Sequence, residues 1–203
     1  MLSQIEKEIK EMLNTVLEMW TLVHQAFMEH NLDLFSSILD KENKLNEWEK
    51  KLLSQLVELN KNKTLNKKEE KKISVYMDIV ADLELIGDYC KDILERVEIK
   101  IHERLLFSDE AVNEYNQLYS RSREALERVY RALEEEDIDL LNKVIREEEK
   151  IDRLAKELRE HHNERLIKGI CSPLAGNMFI NILDFTALIY KNTVNVAKLL
   201  KNL

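Results

Sequence analysis

Glycine and proline are scarce in this chain, which has three glycines and one proline among 203 residues. Sheets joined by tight turns need many of these residues, because glycine and proline supply the backbone conformations of such turns. Long stretches rich in Glu, Lys, Leu, Ile and Val fill the chain instead, and this composition is typical of helices. The hydrophobic share of 44% is large enough for a packed core. The sequence therefore predicts a folded, all-α protein.

Six helices are predicted from apolar residues that recur at helical spacing. The first five span about residues 2–30, 34–59, 68–105, 109–136 and 138–166. The sixth follows a break marked by Gly169, Pro173 and Gly176 and ends near Leu200.

The chain also contains an internal repeat. Residues 31–46 align without a gap on residues 137–152, and the third and sixth predicted helices align with each other as well. Two similar three-helix units in tandem explain these matches most simply. We expect residues 1–106 and 107–203 to form the two units, packed together as one compact body.

The third predicted helix is unusually acidic. Glu84 and Asp88 lie one turn apart on one face, where two like charges repel by a few tenths of a kcal/mol. A cation near that face would remove this repulsion. Gly87 lies between them and leaves space beside the acids for a ligand or a close helix. The predicted core face of this helix is made of Ile79, Leu83, Ile86, Cys90, Ile93 and Val97.

Carboxylates without other ligand types suit hard cations such as magnesium, calcium and manganese, and also iron bridged by oxygen. Glu42 and Asn46 project one turn apart from the second predicted helix and are placed to complete such a site. A solvated acidic face explains the spacing as well, and on spacing alone it is the stronger interpretation because 34% of the residues are charged.

The net charge of −8 disfavours nucleic acid as a partner, because phosphate backbones are bound by basic surfaces. Cys90 and Cys171 are too few for a disulfide framework, which indicates a reducing cytoplasm.

The sequence contains neither a Gly-rich phosphate loop nor a nucleophile paired with a base. We therefore expect neither an enzyme nor an organic cofactor, and no apolar run is long enough to predict a membrane span.

Two motifs resemble a known family. Residues 82–89, Asp-Leu-Glu-Leu-Ile-Gly-Asp-Tyr, resemble the signature of PhoU-domain proteins, which reads roughly D-L-E-R-I-G-D-H. Residues 162–179 are similar to the PhoU-like region at the C-terminus of bacterial sodium/phosphate cotransporters, where an H-x-x-R-L stretch precedes a C-S-P turn. The resemblance covers nearly the whole chain, with two repeats in order.

The resemblance implies two three-helix bundles related by a pseudo-twofold axis. It also implies a non-catalytic regulator of phosphate transport and phosphate homeostasis. Acidic motifs in the family bind metal clusters on the bundle surface, iron among them, and manganese, magnesium, calcium and zinc are all open here. By position, the implied metal ligands are Glu84, Asp88, Asp78 and Glu42, with Asp82 and Asn46 as weaker candidates.

The second repeat departs from the family motif. Asn181 and Ala187 replace the leading acid and the glutamate, and Lys191 replaces the final aspartate. Because alanine cannot ligate and an ammonium group repels a cation, this half is not expected to bind metal. The remaining acids and the substituted positions form a degenerate second site: Glu148, Glu149, Asp152, Asn181 and Lys191. We expect Lys191 to neutralise the acids through a salt bridge.

The partner implied by the resemblance is a phosphate transporter, or an associated membrane or signalling protein, on the cytoplasmic face. The protein itself would be cytoplasmic, either peripheral to the inner membrane or tethered there, and a homodimer is compatible with this role. The alternative is a helical interaction scaffold, or the soluble tail of a sodium/phosphate cotransporter, that no longer binds metal.

Overall fold

A computed structural model describes residues 2–61 and 65–203. The helices are α1 (Leu2–Glu29), α2 (Phe35–Asn60), α3 (Lys67–His102), α4 (Asp109–Glu135), α5 (Ile138–Arg146), α6 (Glu148–Ile167) and α7 (Pro173–Lys201), with a short 3-10 turn at Leu32–Leu34. No strand occurs among these described residues, and the all-α prediction is confirmed. Residue 1, and residues 62–64 between the second and third predicted helices, lie outside the described residues.

The internal repeat is visible in the backbone. His30 and Glu136 occupy equivalent places after α1 and α4, and both adopt left-handed φ angles, of 52° and 54°. The next residues, Asn31 and Asp137, each accept a hydrogen bond from the backbone N–H two residues later, at 2.9 Å and 2.8 Å. Both side chains therefore cap the helical segment that follows. The predicted two-repeat architecture is confirmed by this shared geometry.

The first repeat is a bundle of three helices and the second a bundle of four, and the two bundles pack through equivalent helices. In the first, α2 packs on α1 and α3; in the second, α5 and α6 pack on α4 and α7. Between the repeats, α1 packs on α4 and α3 packs antiparallel on α7. The core lies along these contacts, and the predicted core face of α3 is fully buried. This arrangement leaves α2 and α6 with outward faces.

The fifth predicted helix is in fact two helices, because the chain turns at Glu147 between α5 and α6. Tyr190 of α7 is buried there, and its hydroxyl donates to the carbonyl oxygen of Val144, 3.2 Å away in the last turn of α5. In the first repeat, the position equivalent to Tyr190 is Gly87, and α2 is unbroken. The bulk of Tyr190 thus coincides with the break.

Gly176 also differs from its predicted place, since it lies in the first turns of α7 rather than in the preceding break. A Cβ atom there would be 2.7 Å from Leu166 Cδ1, so the absence of a side chain allows α6 and α7 to approach closely. Pro173 begins the helix, where its fixed φ and missing N–H are tolerated. None of the helices in the described part of the chain is long and apolar enough to cross a membrane.

Candidate carboxylate site

Glu42 is the most deeply buried carboxylate of the candidate site. It lies on the face of α2 that packs against α3, and only 4% of its surface is exposed. Lys91 of α3 donates to Glu42 Oε1 from 2.8 Å, and Asn46 donates to the same oxygen from 3.1 Å. The hydrogen bond to Glu42 raises the pKa of Lys91 above its usual value. An ammonium group from the protein itself therefore already neutralises Glu42.

Glu84 and Asp88 lie beside this pair on α3 and are partly buried. Burial raises the pKa of Glu84 to about 7, and the negative charges of Asp88 and Glu49 add to the effect. The pKa of Asp88 is raised chiefly by burial and then by the charge of Glu42, which Lys91 partly offsets. Burial and neighbouring carboxylates thus disfavour the ionisation of both Glu84 and Asp88.

Gly87 allows α2 and α3 to come together at this site. A Cβ atom on Gly87 would lie 2.6 Å from Leu45 Cδ1, which is closer than real Cβ contacts permit. Of the two expectations for this glycine, a close helix is what the structure shows. The carboxylates of α2 and α3 are consequently brought near one another.

Asp78 and Asp82 lie on the other side of α3, away from Glu42. They line a groove with Asn195 and Lys198 of α7. Burial raises the pKa of Asp82 to about 6, a hydrogen bond with Asn195 opposes this shift, and the charge of Asp78 adds to it. The acids predicted as one ligand set therefore divide between two places. Glu84, Asp88 and Glu42 lie together where α3 meets α2, and Asp78 and Asp82 lie in the groove against α7.

The second repeat contains a salt bridge, although not the predicted one. Lys191 is exposed, and no ion pair within residues 2–61 and 65–203 includes it, so its predicted pairing with the acids is wrong. Lys198 Nζ instead lies 2.6 Å from Glu148 Oε2. Two helical turns further along α7 than expected, a lysine thus reaches the partly buried glutamate of this patch. Glu149 and Asp152 are exposed, and Asn181 is half-buried.

Equivalent glutamates of the two repeats are therefore paired in the same way. Glu42 and Glu148 occupy matching positions on α2 and α6, and each receives a lysine from the third helix of its own repeat, Lys91 or Lys198. Sequence reasoning missed both lysines and also missed Glu49. Glu42 and Glu49 are two turns apart on one helix face, and that spacing is the signal that would have identified Glu49.

These donors do not form a ready metal site. Within the described part of the chain, no group of three or more His, Cys, Asp or Glu side chains is arranged to hold a metal ion. The surroundings of these donors explain this result. Glu42 is already paired with Lys91, and Asp78 lies on the other side of α3, in the groove against α7. The arrangement as it stands can bind a proton between Glu84 and Asp88 and an ammonium group at Glu42.

A second polar cluster joins α4 to α6. Glu114 pairs with Arg165 through both carboxylate oxygens, with Arg165 Nη1 3.0 Å from Oε1, and His161 Nδ1 lies 3.1 Å from the same oxygen. His162 is 2% exposed and packs on Phe179 with ring centroids 4.6 Å apart. The two histidines thus point to different partners, and this cluster fastens helices together.

A family model described as the PhoU domain matches residues 9–97 and 115–199. The first matched segment lies within α1–α3 and the second within α4–α7. Each repeat is therefore recognised separately, although the boundary predicted at residues 106 and 107 stays a prediction.

Solved structures share the fold over nearly the whole chain. PhoU from Pseudomonas aeruginosa has a TM-score of 0.91 at 18% identity, covering 98% of this chain and 94% of that chain. The phosphate transport system regulatory protein PhoU from Streptococcus pneumoniae has a TM-score of 0.85 at 17% identity, covering 98% and 92%. A PhoU-like protein from Shewanella oneidensis MR-1 has a TM-score of 0.72 at 14% identity, covering 98% and 97%. A comparison with curated proteins found no match.

Proposed function

The chain belongs to the PhoU domain family, and on that premise we propose that it is a non-catalytic regulator of phosphate transport. The observation that carries this proposal is the match of the family model to both repeats. The relative from Streptococcus pneumoniae is described as a regulatory protein of the phosphate transport system. In this role the chain acts in the cytoplasm, on a phosphate transporter or on a signalling protein associated with it.

The regulatory role is tested by deleting the gene in its native host and following a phosphate-responsive reporter gene. We expect the reporter to stop responding to external phosphate, and we expect the wild-type gene on a plasmid to restore the response. A reporter that responds normally in the deletion strain would contradict the proposal. The soluble tail of a sodium/phosphate cotransporter is the alternative context for the same fold, and the genomic neighbourhood of the gene distinguishes the two.

We further propose, as the finer part of this function, that the first repeat can take up iron or a divalent cation through Glu84 and Asp88. Glu42 would join them only after releasing Lys91. The support is the environment of Glu84: burial, and then the charges of nearby carboxylates, raise its pKa to about 7. A cation would relieve the repulsion between these carboxylates. Asp78, Asp82 and Asn46 have weaker support, since the first two face α7 and Asn46 donates to Glu42.

A metal-free scaffold is the competing proposal, and a specific observation favours it. The equivalent glutamates of both repeats, Glu42 and Glu148, form ion pairs with lysines, so the chain supplies its own cations at these two positions. Elemental analysis of protein purified without chelator separates the two proposals. If metal binds the first repeat, the wild type retains iron or another cation, and the Glu84→Ala/Asp88→Ala variant loses it. Equal metal content in both proteins would rule out this site.

A further inference from the structure

A cleft at one end of the molecule has a charge opposite to that of the whole chain. It encloses about 830 Å³ where the first turns of α1 and α3 meet the last turns of α4 and α7. Six lysines line it against two glutamates, whereas the chain as a whole has a net charge of −8. The lysines are Lys7, Lys10, Lys67, Lys68, Lys71 and Lys72.

Internal contacts engage only half of these lysines. Lys10 pairs with Glu134 at 2.8 Å, Lys72 pairs with Glu6, and Lys71 donates to the backbone carbonyl of Asn202 at 2.5 Å. Among the ion pairs of the described residues, none includes the other three lysines, Lys7, Lys67 and Lys68, and all three are exposed. Three ammonium groups are thus directed to solvent around one opening.

The floor of the cleft is apolar and is built from four helices. Its residues are Ile9, Tyr76, Leu133, Leu200 and Leu203. Leu203 is 41% exposed, although it is a large apolar side chain. A ligand that has only charged groups would make no apolar contact with this floor. A flat bilayer surface would not reach into a concave cleft. The combination of apolar floor and basic rim fits a ligand that has one apolar face and one acidic face.

We propose that this basic cleft docks an acidic amphipathic helix of a protein partner. The apolar face of such a helix covers Leu133, Leu200 and Leu203, and its acidic flanks meet Lys7, Lys67 and Lys68, as in other helix-in-groove complexes. Charge of opposite sign on the two partners accelerates their association and selects against basic partners. The inference rests on the proposed regulatory function and deepens it by giving the chemistry of the partner segment.

The proposal is tested with a synthetic peptide of about 18 residues that has leucines along one helical face and glutamates elsewhere, a length that suffices for helix formation. A control peptide has the same composition in scrambled order. Binding is followed by fluorescence anisotropy with the full chain. We expect the patterned peptide to bind at least about tenfold more tightly than the scrambled peptide, because only the patterned one presents an apolar face.

Variants then locate the binding surface. The variant Lys7→Ala/Lys67→Ala/Lys68→Ala is expected to bind the patterned peptide about tenfold or more weakly than the wild type does. The matched control, Arg121→Ala/Lys150→Ala/Arg153→Ala, removes three exposed cations from the groove between α4 and α6 and is expected to leave binding unchanged. Leu203→Ser is expected to reduce the advantage of the patterned peptide over the scrambled one. Because all these side chains are exposed, the variants should melt like the wild type.

Three outcomes would overturn the proposal. Equal binding of the two peptides would show diffuse charge attraction, and equal losses in the two triple variants would place the binding elsewhere. Binding of anionic phosphatidylglycerol vesicles through Lys7, Lys67 and Lys68, without binding of the patterned peptide, would assign the surface to a membrane. Peptide binding is measured with purified protein, so its failure is distinct from a failure of phosphate regulation in the cell.

Discussion

At the scale of single residues, Gly87 is the position where the family motif and the packing meet. Its missing side chain is needed because Leu45 of α2 occupies the space that a Cβ atom would take. A glycine inside a helix costs about 1 kcal/mol relative to alanine, and the close approach of α2 offsets that cost. The sequence alone left open whether a ligand or a helix fills this space.

We expect Gly87→Ala to lower the free energy of unfolding by about 1–2 kcal/mol, because the strain of overpacking exceeds the gain in helix propensity. Urea denaturation measures the change, with Ser74→Ala on the exposed face of α3 as the control. In a Leu45→Ala background the same substitution should cost much less. An equal cost in both backgrounds would mean that Leu45 is not the obstacle.

The elevated pKa of Glu84, about 7, predicts a pH dependence of stability. Between its ordinary value and about 7, the folded protein binds a proton that the unfolded chain has released, so stability falls as pH rises through this window. Burial keeps the pKa of Glu84 high, and the negative charges of Asp88, Glu49 and Glu42 add to the effect. Glu84→Gln should flatten the decline between about pH 5 and pH 8. Urea denaturation with a chelator present checks this, and an unchanged pH profile would contradict it.

At the scale of helices, the ion pair of Glu114 and Arg165 fixes α6 against α4. Both side chains are largely buried, at 12% and 13% exposed, and breaking a buried pair leaves one charge without a partner. Arg159, on the same helix, pairs with Asp184 at a site where both side chains are more than 40% exposed. Exposed pairs contribute about 0–1 kcal/mol, so burial decides which of the two pairs matters.

We expect Glu114→Ala to destabilise the protein by roughly 3 kcal/mol, the order found when one partner of a buried pair is removed. Asp184→Ala, the matched control, should cost less than about 1 kcal/mol. Both values come from chemical denaturation at neutral pH. If the two variants lose similar stability, the pair between α4 and α6 does not have the assigned role.

Sequence patterns predicted the helices and their duplication well, because spacing along a helix is a local property. Ser108 and Ser172 cap α4 and α7, and the repeated cap at Asn31 and Asp137 follows the aligned segments. The break at Glu147 was missed; the feature that coincides with it, buried Tyr190, comes from the distant helix α7 and is invisible to local spacing. The lysine partner of Glu148 was also mispredicted. Whether Lys191 or Lys198 reaches this glutamate depends on how α7 is rotated and shifted against α6, and the residue spacing within one helix does not contain that information.

At the scale of the whole molecule, the two repeats related by the pseudo-twofold axis have similar backbones but different side chains at some equivalent positions. The two repeats share their backbone caps and their lysine–glutamate pairs, yet only the first has Gly87 and the crowded acids beside it. The basic cleft lies between the repeats at one end, where helices of both contribute. A partner bound there would contact both repeats at once.

The central claim, that this chain regulates phosphate transport, is tested most directly by the rate at which intact cells take up labelled phosphate. The gene is deleted and then restored either as wild type or as the variant Lys7→Ala/Lys67→Ala/Lys68→Ala. We predict that uptake by the deletion strain no longer falls when external phosphate is raised, and that the wild-type gene restores the fall. Uptake that falls equally in the deletion and wild-type strains would contradict the account.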